Sequence, residues 1–222
     1  MAGDPTAQAP EPGQVPEPSQ APEPAQAPEP ALVEIQPDGA MRGRNGQYRK
    51  LLSDLEGVYQ DAAAFKAKVA ALGGDALAYS VDENRVGLGD GALVLGTSTL
   101  LPGMIGQEYA LTRGHIHAKR DRAEIYHCVA GQGVMLLDTI DGESRALPMS
   151  PGSVVHVPGH WIHRSVNTGP DRLVTVFVYN TDAGQDYEII ARAGGMRQLI
   201  VTDRAGGWRA IANPNHTGYQ DA

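Results

Sequence analysis

The sequence predicts an all-β fold, a sandwich or barrel with one or two short helices, behind a disordered N-terminal tail. Two observations carry this reading. From Gly74 onward the chain is a succession of short apolar runs broken by Gly, Pro, Asn and Asp, and many short strands at close, regular spacing read as a sandwich or a barrel. Clear helical periodicity is confined to a single stretch near 62–72.

The tail comes first. Of the 222 residues, 1–34 hold Gln-Ala-Pro-Glu-Pro at 8–12, 20–24 and 26–30 and Gln-Val-Pro-Glu-Pro at 14–18. Proline at this density removes backbone donors and favours extended polyproline II conformation. The segment has too little apolar surface to offset the entropy of ordering it, so the body is expected to span 35–222 as one domain.

The body opens with polar, Gly-spaced sequence. Asp61 then stands as an N-cap, with Phe65, Val69 and Leu72 on one face and Gly73-Gly74 as the stop. Strands are expected at 76–81, 92–101, 108–113, 124–129, 133–138, 144–147, 153–157, 164–167, 173–179, 198–201 and 208–212, with a short turn around 184–192.

Charge and cysteine content narrow the function. Removing the tail's six acidic residues from the formal charge of −8 leaves −2 for the body. A nearly neutral body without a basic stretch argues against nucleic acid as the main partner. Cys128 is the only cysteine, so an intrachain disulfide and a CxxC metal site are both excluded. The N-terminus lacks the basic and apolar regions of a secretory signal. No apolar run approaches a membrane span. A cytoplasmic protein is expected.

The residues that carry chemistry are His115, His117, Glu124 and His163. Two imidazoles two residues apart project from the same face of a strand. A hairpin between two strands would bring the Glu124 carboxylate beside them, and His163 would come from a second, later hairpin. Three imidazoles and one carboxylate leave open positions on an octahedral first-row metal. His127, His156 and His160 read as ordinary strand and turn residues, and Cys128 as a small buried apolar side chain.

Spacing around these ligands resembles the cupin motifs. Glu124 is followed by six residues and Gly131. The second motif runs Gly152, five residues, Pro158, then His163, three residues and Asn167. Two departures are a six-residue gap from His117 to Glu124 and a glycine at 159 rather than 160. Further stretches resemble the cupin-type phosphoglucose isomerases: Leu52-Ser53-Asp54-Leu55-Glu56-Gly57, Leu101-Pro102-Gly103, Thr112 to Lys119, Asp121 to Tyr126, and Asp182 to Tyr187. The resemblance covers roughly 40–215 and includes the longer gap.

It implies a cupin double-stranded β-helix, or jelly roll, acting as a homodimer that interconverts glucose 6-phosphate and fructose 6-phosphate. It also implies one divalent metal per subunit, Fe²⁺ first, with Mn²⁺, Zn²⁺ or Ni²⁺ also suited to the ligands. For the phosphate, Thr97 or Ser98, Thr112, the Gly114 backbone N–H and Tyr79 are the candidate donors. Tyr179 and Tyr187 match family positions near the sugar. Glu124 is the candidate base for the C2 proton, and Tyr126 is the candidate to position a substrate oxygen or relay a proton. A direct hydride passage from C2 to C1 is the route that needs no base.

Gln185 stands where the family often has histidine, and it cannot titrate in that role. Arg113 stands where lysine is frequent. Lys119, Arg120, Arg122 and Arg164 read as solvated or paired with Asp121, without a catalytic role. Other chemistries compatible with the ligand set are a metal-dependent dioxygenase, an isomerase acting also on mannose 6-phosphate, and a non-catalytic sensor.

Overall fold

A computed structural model describes residues 29–203 and 205–220. The expected disordered tail lies largely outside the described residues. Its C-terminal end at Glu34 is already strand. The elements in chain order are β1 (Glu34–Ile35), β2 (Met41–Arg42), β3 (Gly46–Leu51), a 3₁₀ turn (Leu52–Leu55), α1 (Ala62–Leu72), β4 (Leu77–Val86), β5 (Leu93–Leu100), β6 (Met104–Ile105) and β7 (Glu108–Leu111). They continue with β8 (Glu124–Ala130), β9 (Gly133–Thr139), β10 (Ser144–Met149), β11 (Val154–Val157), β12 (Trp161–Asn167), β13 (Leu173–Asn180), α2 (Glu188–Arg192), β14 (Gln198–Thr202) and β15 (Trp208–Ala212).

Two sheets face each other. One has the order β10-β9-β12-β7-β14-β15, with β6 beside β7; the other runs β11-β8-β13-β5-β4-β3. From β7 to β13 the chain winds back and forth between them, and only β9 and β10 are sequence neighbours paired in one sheet. This is the double-stranded β-helix that the cupin resemblance implies.

The winding corrects both expected hairpins. β7 and β8 lie in different sheets, as do β11 and β12. The imidazoles of 115 and 117 therefore meet Glu124 across the gap between walls, not across a ladder.

Alternation explains which side chains enter that gap. On β8, Glu124, Tyr126 and Cys128 are buried while Ile125 and His127 are exposed. The inward parity continues across the register through Tyr179 and Phe177 on β13, Val94 and Gly96 on β5, and Arg85 and Glu83 on β4. A Cβ at Gly96 would stand 2.1 Å from the Phe177 ring, so the missing side chain is what lets that ring lie flat on its neighbour.

The N-terminal ribbon and β3 escape sequence reading because their faces are mostly exposed and polar. α1 is as expected: the Asp61 carboxylate accepts from the Ala64 N–H at 2.8 Å, and Phe65 is buried. Leu72, placed on the same face, is exposed instead. One continuous apolar cluster joins both sheets and α1. Each fully buried aliphatic side chain in it contributes about 1.5–3 kcal/mol.

Candidate metal centre

His115, His117, Glu124 and His163 converge. All four are buried, and one ligand atom from each lies within 4.8 Å of the others. The Glu124 Oε2 atom is 3.0 Å from His163 Nε2, 3.2 Å from His117 Nε2 and 3.9 Å from His115 Nε2.

Backbone geometry holds the rings. His115 and His163 exchange hydrogen bonds, N to O at 3.0 Å and 2.9 Å, so the two ligands are clamped together without a regular strand at 115–117. Nδ1 of His117 lies 2.8 Å from the Arg122 carbonyl, and Nδ1 of His163 lies 3.1 Å from the Trp161 carbonyl. Donation from each Nδ1 leaves the opposite Nε2 as a free lone pair turned toward Glu124. The ligand loop also needs Gly114: its φ is +75°, and a Cβ there would sit 2.8 Å from Arg164 Cβ and 3.0 Å from the His163 carbonyl.

The donor set fits a metal ion. Among the described residues, neither His115 Nε2 nor His117 Nε2 has a hydrogen-bond partner, although both atoms are buried. Such orphaned lone pairs are costly in a protein interior unless something coordinates them. Burial, with the neighbouring His163 ring, holds His115 well below the usual imidazole range. Burial also pulls on His117, but the Glu124 carboxylate outweighs it and raises that ring. Burial alone would push the Glu124 carboxyl up; the His117 and His163 rings overcome this and hold it at about 2. Ligation would require all three rings neutral beside the ionised carboxylate, so an ion would displace the proton that Glu124 favours on His117.

His115, Glu124 and His163 line a cavity of about 530 Å³ of empty space, its open mouth included. Tyr48, Tyr79, Ser98, Thr112, Gly114 and Ser165 line it with hydroxyl and backbone donors, and Tyr126, Tyr179, Gln185 and Tyr187 surround the ligands. The glucose-6-phosphate isomerase (GPI) family model matches residues 49–217. The chain belongs to that family.

Relatives agree over most of the length. The glucose-6-phosphate isomerase of Sinorhizobium medicae is 47% identical over 175 residues, covering 79% of this chain and 81% of the relative. That of Pyrococcus horikoshii is 40% identical over 176 residues, covering 79% and 90%. Among solved structures, Bacillus subtilis oxalate decarboxylase aligns with a TM-score of 0.39 at 20% identity, over 47% of this chain and 26% of that one.

Within the family frame, the structure sorts the candidate substrate residues. Thr112, Gly114, Tyr79, Tyr179 and Tyr187 line the cavity together with Glu124 and Tyr126. Thr97 does not. Its hydroxyl donates to the Gly39 carbonyl at 2.6 Å on the outer face of the sheet, and Ser98, the alternative from the same strand, has the inward parity. The Thr112 hydroxyl accepts from the Ser165 N–H at 3.1 Å.

The tyrosines are neutral donors. Burial, then the Glu124 charge, lifts Tyr126 well above the usual phenol range, and burial pushes Tyr79 up to about 12. Tyr187 donates to the Gln185 amide oxygen, and its ring lies 5.6 Å from that of His115 with Arg113 stacked 5.1 Å from its centroid. Arg85 donates to the Tyr179 hydroxyl at 3.1 Å while paired with the buried Glu83 at 2.9 Å.

Tyr48, Glu83, Ser165 and Arg85 were not legible as site residues. Tyr48 shares a register with Val81 and hence a face with Tyr79, a signal that appears only once β3 is known to pair with β4. Arg164 needs correction. It is buried, not solvated, and its guanidinium donates to the Arg113 carbonyl among Tyr59, Tyr219, Glu108 and Asp138. Arg122 does pair with Asp121 at 3.2 Å, but its shorter contact is to Asp182 at 2.9 Å.

Proposed function

We propose that the cavity between the two sheets interconverts D-glucose 6-phosphate and D-fructose 6-phosphate, as an aldose–ketose isomerase. The observation that carries this reading is a buried three-histidine, one-glutamate group beside a cavity lined by hydroxyl and backbone donors and by Arg164. Relatives that are glucose-6-phosphate isomerases support this reading. A divalent ion held by His115, His117, Glu124 and His163 supplies Lewis acidity toward the substrate oxygens.

The chain's own residues do the rest. Thr112, Ser98, Tyr79 and the Gly114 N–H bind the phosphate, whose charge needs convergent donors in a body without a basic patch. Tyr179 and Tyr187 hold sugar hydroxyls. Glu124 accepts the C2 proton, and Tyr126, kept protonated beside it, relays or positions that proton. Deuterated water tests this against direct hydride passage: substantial uptake of label at C1 or C2 excludes an exclusive hydride route.

Fe²⁺ is the metal in this reading, with Mn²⁺, Zn²⁺ and Ni²⁺ compatible with the same nitrogen and oxygen donors. A homodimer is part of it too. The outer face of the six-stranded sheet leaves Leu93, Ile125 and Val154 exposed beside half-buried Leu95, Val176 and Val178, an apolar surface suited to a second copy. None of the helices among the described residues is long and apolar enough to cross a membrane. Ionised sugar phosphates stay in the compartment that makes them, so the cytoplasm is the expected place of action.

The deciding assay gives fructose 6-phosphate to metal-free protein reconstituted separately with Fe²⁺, Mn²⁺, Zn²⁺ and Ni²⁺. Glucose 6-phosphate should appear with at least one ion. No product with any of the four overturns the reading.

A further inference from the structure

Two groups of the loop between His117 and Glu124 hold His117: Arg120 donates to its carbonyl at 2.7 Å, and the Arg122 carbonyl lies 2.8 Å from its Nδ1. The Arg122 carbonyl fixes both the tautomer and the tilt of the ring. What fixes the carbonyl lies some sixty residues further along the chain. Asp182, on the segment after β13, grips Arg122 with both carboxylate oxygens, from Nε at 3.0 Å and from a terminal nitrogen at 2.9 Å. Lys119 Nζ donates to the same carboxylate at 2.6 Å.

This grip belongs to a longer zipper. The N–H of Lys119 bonds to the Ala183 carbonyl at 2.8 Å, and Ile116 and Asp186 exchange backbone bonds at 3.2 Å and 2.8 Å. Arg120 donates to Asp186 at 3.3 Å, and Asp186 in turn caps the Glu188 and Ile189 N–H groups that open α2. On its other side the ligand loop is pressed by Gly159, where a Cβ would meet the Arg120 carbonyl at 2.7 Å. The segment that carries Gln185 and Tyr187 into the cavity is thus the one that holds the ligand loop.

We propose that Asp182 is a positioning residue for the metal centre: by gripping Arg122 and Lys119 it holds the Arg122 carbonyl against His117 Nδ1 and so aims His117 Nε2 at the ion. The bidentate geometry is what suits Asp182 to this task, because a planar guanidinium held at two points cannot swivel and carries its own backbone with it. Arg122 lies only about a quarter exposed and Asp182 less than that. The Arg122 and Lys119 cations hold the Asp182 carboxyl well below the usual carboxylate range, which keeps the grip charged.

The inference rests on the four-ligand reading of the centre, and the experiment separates the two. Mn²⁺ affinity is measured by competition against a chelator for the wild-type full chain, Asp182→Asn and Asp121→Asn, and the Co²⁺-loaded visible spectrum is recorded for each. Asp121→Asn removes a second ion pair of the same Arg122 but leaves the bidentate grip. Asp182→Asn should weaken Mn²⁺ binding about ten- to a hundredfold and alter the Co²⁺ bands, while Asp121→Asn stays within twofold of wild type with an unchanged spectrum. Thermal unfolding of the metal-free proteins checks that both variants fold. If Asp182→Asn binds Mn²⁺ within twofold of wild type with the same Co²⁺ spectrum, the positioning role is wrong and the centre stands. If the wild-type chain takes up no Mn²⁺, both fall.

Discussion

Glu124 Oε2 and His163 Nε2 lie 3.0 Å apart, although 39 positions separate the residues and their strands belong to opposite sheets. A carboxylate on one wall is met by imidazoles carried on the other. Everything expected of the site follows from this meeting.

Metal loading should stiffen the whole body. A ligand that binds only the folded chain at one hundred times its Kd stabilises it by about 2.7 kcal/mol. For a chain of this length that raises the melting temperature by roughly 5–10 °C. Scanning fluorimetry with and without Mn²⁺ reads the shift. His163→Ala should abolish it; an equal shift in that variant would mean the ion binds elsewhere.

Tyr126→Phe removes the one hydroxyl that faces Glu124 from its own strand, without disturbing the ligands. Turnover should fall on the order of 10²-fold, within the span of a lost proton-transfer partner. KM and Mn²⁺ affinity should remain within a few-fold. A variant with normal kcat would demote Tyr126 to packing.

Gly114→Ala should harm both folding and substrate binding. The residue's φ of +75° and the 2.8 Å approach to Arg164 leave no room for a methyl group. The strain should cost about 1–3 kcal/mol in denaturant unfolding. Displacing the Gly114 N–H from the phosphate should raise KM by about tenfold, the equivalent of one charge-assisted hydrogen bond. Unchanged KM in a folded variant would place the phosphate elsewhere.

Glu108 gives stability a pH dependence of its own. Burial raises its pKa in the folded chain, against the opposing pull of the Gln60 N–H that it accepts at 2.8 Å. The folded state therefore holds that proton more tightly than the unfolded one. Its contribution to stability is full below the ordinary carboxylate range and is lost as pH rises through the raised folded value. Glu108→Gln keeps an accepting oxygen and has no proton to lose. Urea unfolding at a series of pH values should show the variant gaining on wild type as pH climbs upward from about 4. A constant difference would contradict this.

The ligand set was legible because its chemistry depends on residue type, and His115, His117, Glu124 and His163 stood with their turn residues in a recognisable spacing. Most strands were legible because apolar runs and Gly or Pro breaks mark them. What escaped was pairing. Thr97 and Ser98 are equally polar neighbours, and only the register with Val81 and Thr175 turns Ser98 inward. The hairpins expected around the ligands assumed that strands adjacent in sequence are adjacent in the sheet, which this winding breaks. Arg164 read as a surface cation because nothing local shows that Tyr59 and Tyr219, more than fifty residues away on either side, cover its face of β12. β3 and Tyr48 were hidden by an edge strand whose polar residues carry no inward pattern.

Placing one ligand strand in each wall has a cellular corollary. An ion shared by the two walls acts as a rivet through the barrel, so a chain deprived of it opens more often and for longer to proteases that patrol unfolded segments. Scarcity of the ion would then thin the population of enzyme molecules as well as slow each one, and restoring the ion would require new synthesis before flux recovered.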